Sequence, residues 1–352
     1  MVNKEIDIFD NFFYKKTVLV TGHTGFKGSW LVIWLKELGA NVIGVSLEPF
    51  SNKDNYVLSQ IGNDIVDLRV NINDSQSIND VFKQYKPEIV FHLAAQPLVR
   101  LSYKQPVETF QTNVIGTINI MEGIRSVNSV KAGIMITTDK CYDNKEQIWG
   151  YRENEPIGGY DPYSASKGAA EVAIASWRRS FHLPIASVRA GNVIGGGDWA
   201  LDRIIPDCIK AFEANQAVIL RNPSAIRPWQ LVLEPLSGYM LLAKRIYENP
   251  GKYSEAWNFG PNIESVSTVK EVVDLLINSY GNGRVEYSEE QNQLHEANLL
   301  MLDIAKAKFI LGWQPRLNIS QCIEYVADWY KRYKTESVYD LCVEQICKFV
   351  QM

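Results

Sequence analysis

The sequence has little cysteine, no marked excess of either charge and no long apolar run. Its five cysteines are scattered, odd in number and lack the spacing of a zinc site, which indicates reduced thiols rather than a disulfide framework. The 36 basic and 40 acidic residues leave a net charge of −4, so nothing attracts nucleic acid or an anionic membrane in general. No stretch approaches the roughly 18 apolar residues of a membrane-spanning helix, and none is predicted.

The N-terminal segment MVNKEIDIFDNFFYKK also lacks the apolar core of a signal peptide. Together with the reduced cysteines, this favours a cytoplasmic protein. The hydrophobic content of 46% supports a real core, and 352 residues suffice for one and a half or two domains.

The first half of the chain alternates short β-branched runs with longer helical patterns. The predicted strands are Thr17–Thr21, Asn41–Ser46, Ile65–Val70, Glu88–Leu93, Ala132–Thr137 and Ile185–Arg189. The predicted helices between them are Ser29–Leu38, Ser75–Tyr85, Glu108–Ser126 and Tyr163–Phe181. Most of the strands are continuous apolar runs, as expected of strands covered on both faces. This alternation predicts an α/β fold with a doubly wound, parallel Rossmann sheet.

The pattern changes after Arg189, where Gly195-Gly196-Gly197 and several prolines interrupt it. We therefore expect a doubly wound domain over residues 1–190 and a smaller, mainly substrate-binding domain over residues 191–352. A segment at about 229–258 is expected to rejoin the first domain.

A glycine-rich turn follows the first strand directly. The turn GHTGFKG contains Gly22, Gly25 and Gly28 in a GxxGxxG spacing, with Thr24 and Phe26 between them. Such a turn lets a pyrophosphate approach bare backbone, and the helix behind it supplies aligned N–H groups. These five residues are the predicted cofactor contacts of the turn.

The end of the second strand is where an acid that binds the adenosine ribose is expected. This sequence offers Ser46 there, with Glu48 two residues on, and no arginine to meet a 2′-phosphate. The cofactor is therefore predicted to be NAD rather than NADP. The other predicted cofactor contacts follow the third and fourth strands: Asp67, Leu68, Leu93, Ala94 and Ala95.

The segment Tyr163-Ser164-Ala165-Ser166-Lys167 places a phenol and an ammonium group on one helix face. A phenol titrates near pH 10, so it needs a nearby cation to act as a base at neutral pH. Thr138, at the end of the fifth strand, supplies a hydroxyl that can orient a substrate alcohol. Tyr163 and Lys167, which also count as cofactor contacts, and Thr138 form the predicted catalytic set.

Together these motifs resemble the extended short-chain dehydrogenases/reductases that act on nucleotide sugars, and most closely the CDP-glucose 4,6-dehydratases. The resemblance runs from about Thr21 to Tyr239, and LGWQP near Gly312 extends it. Its segments are TGHTGFKGSWL, HLAAQPLVRLSY, TTDKCYDNKEQIWGYRENEPIGGYDPYSASKGAAE, VRAGNVIGGGDWALDRIIPD and RNPSAIRPWQLVLEPLSGY.

The resemblance implies an NAD-dependent lyase that oxidises C4 of CDP-glucose, eliminates water across C5 and C6 and returns the hydride to C6. It implies Asp139 as the acid that protonates the leaving hydroxyl. The dTDP-glucose relatives have an Asp-Glu pair at this point, whereas this chain has Asp139-Lys140. Lys140 is therefore expected to be the C5 base or the cation that stabilises the enolate.

The resemblance also implies a nucleotide-sugar site, a role in deoxysugar biosynthesis such as that of O-antigen or lipopolysaccharide, and a homodimer formed through the helices 108–126 and 163–181. The expected substrate contacts are Asn192, Arg203, Arg221, Arg227 and His295. For the arginines, a plain surface position is the alternative. Other functions left open are dehydration of another nucleotide sugar, an epimerase or simple dehydrogenase on the same fold, and a non-catalytic dinucleotide sensor.

Overall fold

The computed structural model describes residues 3–220, 222–262, 265–287 and 299–352. At its centre is a seven-stranded parallel sheet with strand order β11-β6-β5-β4-β1-β2-β3. Its strands are β1 Thr17–Thr21, β2 Asn41–Ser46, β3 Val66–Arg69, β4 Ile89–His92, β5 Ala132–Ile136, β6 Ile185–Ala190 and β11 Ala256–Phe259. The predicted α/β class and doubly wound sheet are confirmed.

Helices cover both faces of this sheet. The first half contains α1 Phe26–Glu37, α2 Asn55–Ser59, α3 Ser75–Tyr85, α4 Val99–Lys104, α5 Pro106–Phe110, α6 Gly116–Arg125 and α7 Pro162–Ser180. The second half contains α8 Ile204–Glu213, α9 Leu233–Glu248, α10 Pro250–Tyr253, α11 Val269–Tyr280, α12 Ile319–Arg332 and α13 Val338–Val350. Buried apolar side chains form one cluster on each face, with Trp30 and Trp34 in the larger cluster and Phe82 in the smaller.

Short strand pairs lie outside the central sheet. Their strands are β7 Val193–Ile194, β8 Ala217–Leu220, β9 Ile226–Arg227, β10 Gln230–Leu231, β12 Ser267–Thr268 and β13 Arg284–Tyr287. They pair as β7 with β10, β8 with β13 and β9 with β12. Since α9 packs on β5 and β11 extends the sheet beside β6, the chain returns to the first layer after the short pairs. The domain division near residue 190 stays a prediction.

The predicted helix Glu108–Ser126 differs from the observed one. Helix α5 begins two residues earlier, at Pro106, a residue whose fixed φ suits the first helical turn. A π-helical turn over Gln111–Ile115 then joins α5 to α6. Helix α1 also begins earlier than predicted, at Phe26, so the last glycine of the GxxGxxG motif lies inside the helix.

The strand order reverses between β1 and β4, because the chain builds β2 and β3 on one side and β5 and β6 on the other. Such a switch point opens a crevice at the carboxyl ends of the strands, where ligands bind in sheets of this kind. All five cysteines are free thiols, and four of them are buried. Within the described ranges, no helix is long and apolar enough to cross a membrane.

Candidate active site

The glycine turn lies directly over the switch point. Gly22 has a φ of +72°, and a Cβ there would approach the backbone nitrogen of Ala94 to 2.7 Å. A Cβ at Gly28 would overlap the carbonyl group of Gly22. The backbone at Gly22 and at Gly28 is therefore packed too closely to its neighbours for a side chain at either position. Because no side chain stands there, a phosphate can reach the N-terminus of α1. Gly25 is less confined, because a Cβ there would lie 3.3 Å from the Gly22 oxygen.

The predicted contacts Thr24 and Ser46 are joined to each other by a hydrogen bond of 2.7 Å between their hydroxyl groups. This bond ties the glycine turn to the end of β2, where the adenosine ribose is expected. Leu93, Ala94 and Ala95 follow β4 on the other side of the switch point, and the Ala94 N–H donates to the Thr21 hydroxyl at 3.2 Å.

No arginine directly follows Ser46 in the chain, but one on the neighbouring strand was not predicted. Arg69, at the end of β3, lies beside Ser46 in the parallel register of β2 and β3. Its Nε donates to Glu48 at 3.0 Å, and its other nitrogens face Asp67. The sequence does not predict this neighbour, because Arg69 is 23 residues from Ser46 in the chain and only the pairing of β2 with β3 brings the two together.

Asp67 and Leu68 lie in β3, at the edge of the crevice. The Asp67 carboxylate accepts hydrogen bonds from Tyr56 and Arg69 and lies 2.7 Å from the His23 ring. Burial lowers the pKa of His23, so the ring is neutral at pH 7. Asp67 is therefore held by its neighbours, and contact with adenine stays a prediction.

A cavity of about 700 Å³ extends from the switch point towards the second half of the chain. It is lined by all five predicted catalytic residues, Thr138, Asp139, Lys140, Tyr163 and Lys167. Phe26 and Leu93 line it on the cofactor side, and Asn192, Arg203 and Arg227 line it on the other. The sequence motifs, which are far apart in the chain, thus meet in one space.

Thr138 and Asp139 follow the end of β5, and Thr138 caps a short 3-10 turn over Asp139–Cys141. The Thr138 hydroxyl donates to Asp139 Oδ1 at 2.9 Å and accepts from the Lys140 backbone N–H at 3.3 Å. Asp139 is buried, and its Oδ2 has no hydrogen-bond partner among the described residues. A side chain at Gly191 would overlap this carboxylate, so the glycine makes room for it.

Tyr163 and Lys167 lie in the first turns of α7, which Asp161 caps by accepting from the Ser164 N–H at 3.0 Å. Burial raises the pKa of Tyr163 to about 12, while Thr138 and Arg203 act in the opposite direction. Burial lowers the pKa of Lys167 to about 8. The Lys167 ammonium donates to the Ile136 carbonyl at 3.0 Å rather than to the phenol. The lowering of the Tyr163 pKa by Lys167 together with a positively charged nicotinamide stays a prediction.

Behind Lys167 lies a buried ion pair. Glu171, one turn further along α7, accepts from Arg189 Nε at 3.0 Å and from its Nη2 at 2.8 Å. The same carboxylate accepts from Thr137 and Ser187. One carboxylate thus joins α7 to β5 and β6 at the point where the catalytic residues leave the sheet.

Of the predicted substrate contacts, Arg203 is paired with Asp198 at 2.8 Å and faces the Tyr163 side of the cavity. Arg227 donates to the carbonyl of Ile226 at 2.8 Å and also lines the cavity. Asn192 has a φ of +40° at the turn after β6. Arg221 and His295 lie outside the described residues.

Lys27, in the first turn of α1, was not predicted to contribute to the site. It lines the cavity, and burial together with the charges of Lys167 and Arg203 lowers its pKa to about 7. Gly191 was also missed, because its contact with Asp139 crosses between strands. The only sequence feature that could have predicted a role for Lys27 in the site is its position inside the glycine motif.

Comparison with known proteins agrees with this geometry. The model of the GDP-mannose 4,6 dehydratase family matches residues 19–326. The chain belongs to this family. A CDP-glucose 4,6-dehydratase of Salmonella typhimurium is 50% identical, over 92% of each chain.

Solved structures show the same fold at lower identity. An epimerase from Methanothermobacter thermautotrophicus superposes with a TM-score of 0.82 at 23% identity, covering 97% of this chain and 96% of its own. A dTDP-glucose 4,6-dehydratase of Bacillus anthracis, solved in complex with NAD, gives a TM-score of 0.76 at 21% identity and covers 90% of this chain and 97% of its own. The residues present fit such a dinucleotide, because the bare backbone at Gly22 and Gly28 leaves space for a pyrophosphate.

Proposed function

We propose that this protein is an NAD-dependent lyase that dehydrates CDP-glucose to CDP-4-keto-6-deoxyglucose. The observation that carries the proposal is the meeting of Asp139 and Lys140 with Thr138 and Tyr163 in one cavity. An epimerase needs the tyrosine but has no use for an acid beside it. The 50% identity to the CDP-glucose 4,6-dehydratase supports the choice of substrate.

Each residue has one task in this reaction. The glycine turn at Gly22, Gly25 and Gly28 would hold NAD at the switch point, where it would supply a hydride acceptor for C4 oxidation and, once reduced, a hydride donor for C6. Tyr163, as phenolate, takes the proton of the 4-hydroxyl, which Thr138 orients. The 4-ketone acidifies the C5 hydrogen. Lys140 takes that proton or stabilises the enolate, and Asp139 protonates the departing 6-hydroxyl.

The diphosphate of the substrate is proposed to bind Arg203 and Arg227, which both line the cavity. Guanidinium groups bind phosphate through paired N–H donors, so two of them offset the acidic net charge of the chain locally. Asn192 is proposed to contact the sugar or diphosphate. Arg221 and His295 remain proposed substrate contacts on the basis of the sequence alone.

The test is to incubate the purified protein with NAD and CDP-, dTDP-, GDP- and UDP-glucose, following the alkaline absorbance of a 4-keto product. CDP-glucose deuterated at C4 should give a product with deuterium at C6, because the same hydride returns. Net accumulation of reduced cofactor with no label at C6 would instead identify a simple dehydrogenase. Turnover of another nucleotide sugar alone would move the proposal to that substrate.

We propose further that the protein is a homodimer formed through α5, the following π turn and α7. Exposed apolar side chains lie on these elements, with Val107 71% exposed, Ile115 47% and Val172 62%. Helices α5 and α7 contact each other, so the proposed interface lies on neighbouring elements. Val172→Glu should convert the dimer to a monomer in analytical ultracentrifugation. Ile148→Glu, at a 77% exposed site on a different loop, should not.

We also propose that the enzyme works in the cytoplasm, as its reduced cysteines suggest. Its product is proposed to enter deoxysugar biosynthesis such as that of O-antigen or lipopolysaccharide. Substrate supply by a cytidylyltransferase acting on a sugar phosphate would fit the nucleotide it takes.

A further inference from the structure

A cluster of charged side chains lies at the end of β2. Glu48 and Asp67 each carry one negative charge, and Arg69 carries one positive charge. His23, which also lies against Asp67, is neutral at pH 7 because burial lowers its pKa. The group that surrounds the ribose end therefore has a net charge of −1.

The arginine itself would suit a 2′-phosphate. It stands in register with Ser46, at the position where Rossmann enzymes that bind NADP place an arginine for that phosphate. A guanidinium group binds phosphate through two parallel N–H donors. Its presence alone would favour NADP over NAD.

Every donor edge of this guanidinium group is already occupied. Nε faces Glu48 at 3.0 Å, and Nη2 donates to Asp67 at 3.0 Å and to the Tyr56 hydroxyl at 3.3 Å. Nη1 also donates to Asp67. A 2′-phosphate would have to displace one carboxylate and would meet both at close range.

We propose that Glu48, by occupying Arg69 and leaving the cluster negative, selects NAD against NADP. This specificity role goes beyond the proposed function and rests on it only in taking a nicotinamide dinucleotide as the cofactor. Glu48 is the replaceable member of the cluster. Its side chain is 78% exposed, whereas the side chain of Asp67 is 25% exposed and holds two other partners. An exposed ion pair of this kind contributes little to stability, so removing it leaves the fold intact.

The experiment measures dissociation constants for NAD and NADP by calorimetry. Glu48→Ala should tighten NADP binding about tenfold, the effect of one charge near a protein surface, and should change NAD binding by less than about twofold. The double variant Glu48→Ala with Arg69→Met should lose that gain, because the phosphate no longer has a guanidinium ligand. Asp80→Ala, which removes an exposed acid on α3, controls for net charge and should change neither constant.

An unchanged NADP affinity in Glu48→Ala overturns the proposal. So does a gain that survives in the double variant, since Arg69 would then not be the phosphate ligand. A selective weakening of NAD binding by more than about tenfold also overturns it, because Glu48 would then contact the ribose hydroxyls directly. These binding constants are independent of turnover, so a failure of the dehydratase assay leaves them interpretable.

Discussion

Tyr163 shows how a single side chain depends on its setting. Burial raises the pKa of its phenol to about 12, so at neutral pH a base is formed only when positive charge gathers around it. Arg203 already acts in this direction, and the oxidised nicotinamide would add to it. Since a raised pKa is overcome as pH rises, kcat/KM should increase with pH until the phenol is ionised.

Tyr163→Phe removes this base without changing the shape of the helix. We expect turnover to fall about 10²- to 10⁴-fold, or roughly 3–5 kcal/mol of barrier, with NAD affinity preserved. Steady-state rates and a cofactor titration check both halves of the prediction. A variant that keeps most of its activity would make the tyrosine structural.

Asp139 and Lys140 separate dehydration from oxidation. Asp139→Asn cannot donate an acidic proton to the leaving hydroxyl, and Lys140→Ala can neither accept the C5 proton nor offset an enolate. With CDP-glucose, each variant should accumulate the absorbance of reduced nicotinamide while releasing no 6-deoxy product. Exchange of the C5 hydrogen with solvent at the normal rate in Lys140→Ala would show that another group is the base. If both variants dehydrate normally, an epimerase becomes the better reading.

The site residues predicted from the sequence belong to short local motifs, whereas the missed ones depend on contacts between residues far apart in the chain. The glycine turn and the Tyr163–Lys167 pair are local motifs that can be recognised within a few consecutive residues. Arg69 beside Ser46, and Gly191 against Asp139, depend on strand pairing across the sheet. No local pattern reports such a neighbour, which is why both were overlooked.

At the scale of elements, the strands were predictable because a parallel strand that is covered on both faces has a short, continuous apolar sequence. The bounds of β1 and β2 agree with the prediction, and the other four predicted strands differ by one residue at one or both ends. The π turn between α5 and α6 was not predictable, since Gln111 and Ile115 at its ends have ordinary helical φ and ψ and no proline or glycine lies within it.

The ion pair of Glu171 and Arg189 is the strongest polar link between α7 and the sheet. Glu171→Gln keeps the shape but leaves a buried guanidinium group without its counter-charge. We expect the free energy of unfolding to fall by about 3–5 kcal/mol, measured by denaturant titration. Glu248→Gln is the matched control, because its exposed pair with Arg245 at 3.4 Å is worth no more than about 1 kcal/mol. Equal effects of the two changes would contradict the assignment.

At the scale of the whole molecule, Glu234 links α9 to the segment that precedes α12. It lies in the first turn of α9, and its Oε1 accepts the backbone N–H groups of Arg316 and Leu317, both at 2.8 Å. Burial raises the pKa of this carboxyl from 4.5 to about 7. A raised folded-state pKa means that its contribution to stability is complete below pH 4.5 and is lost as the pH rises through about 7.

Glu234→Gln keeps the accepting oxygen and removes the titration. Between about pH 4.5 and pH 7 the wild-type protein should therefore lose up to about 3 kcal/mol relative to the variant. Denaturant unfolding at several pH values measures the difference. Glu324→Gln, an exposed acid on the neighbouring α12, should run parallel to the wild type. A wild-type curve parallel to that of Glu234→Gln would contradict the raised pKa.

The cavity has two walls of different origin, and this bears on how such enzymes diverge. The wall that carries Thr138, Asp139 and Tyr163 comes from the sheet and α7, whereas Arg203 and Arg227 come from the later, irregular part of the chain. If the nucleotide binds the second wall, as proposed, mutations there would change the accepted nucleotide without altering the residues proposed for the hydride chemistry. Enzymes descended from one ancestor can in this way differ in the nucleobase of the substrate that they recognise and still break the same bond in the sugar.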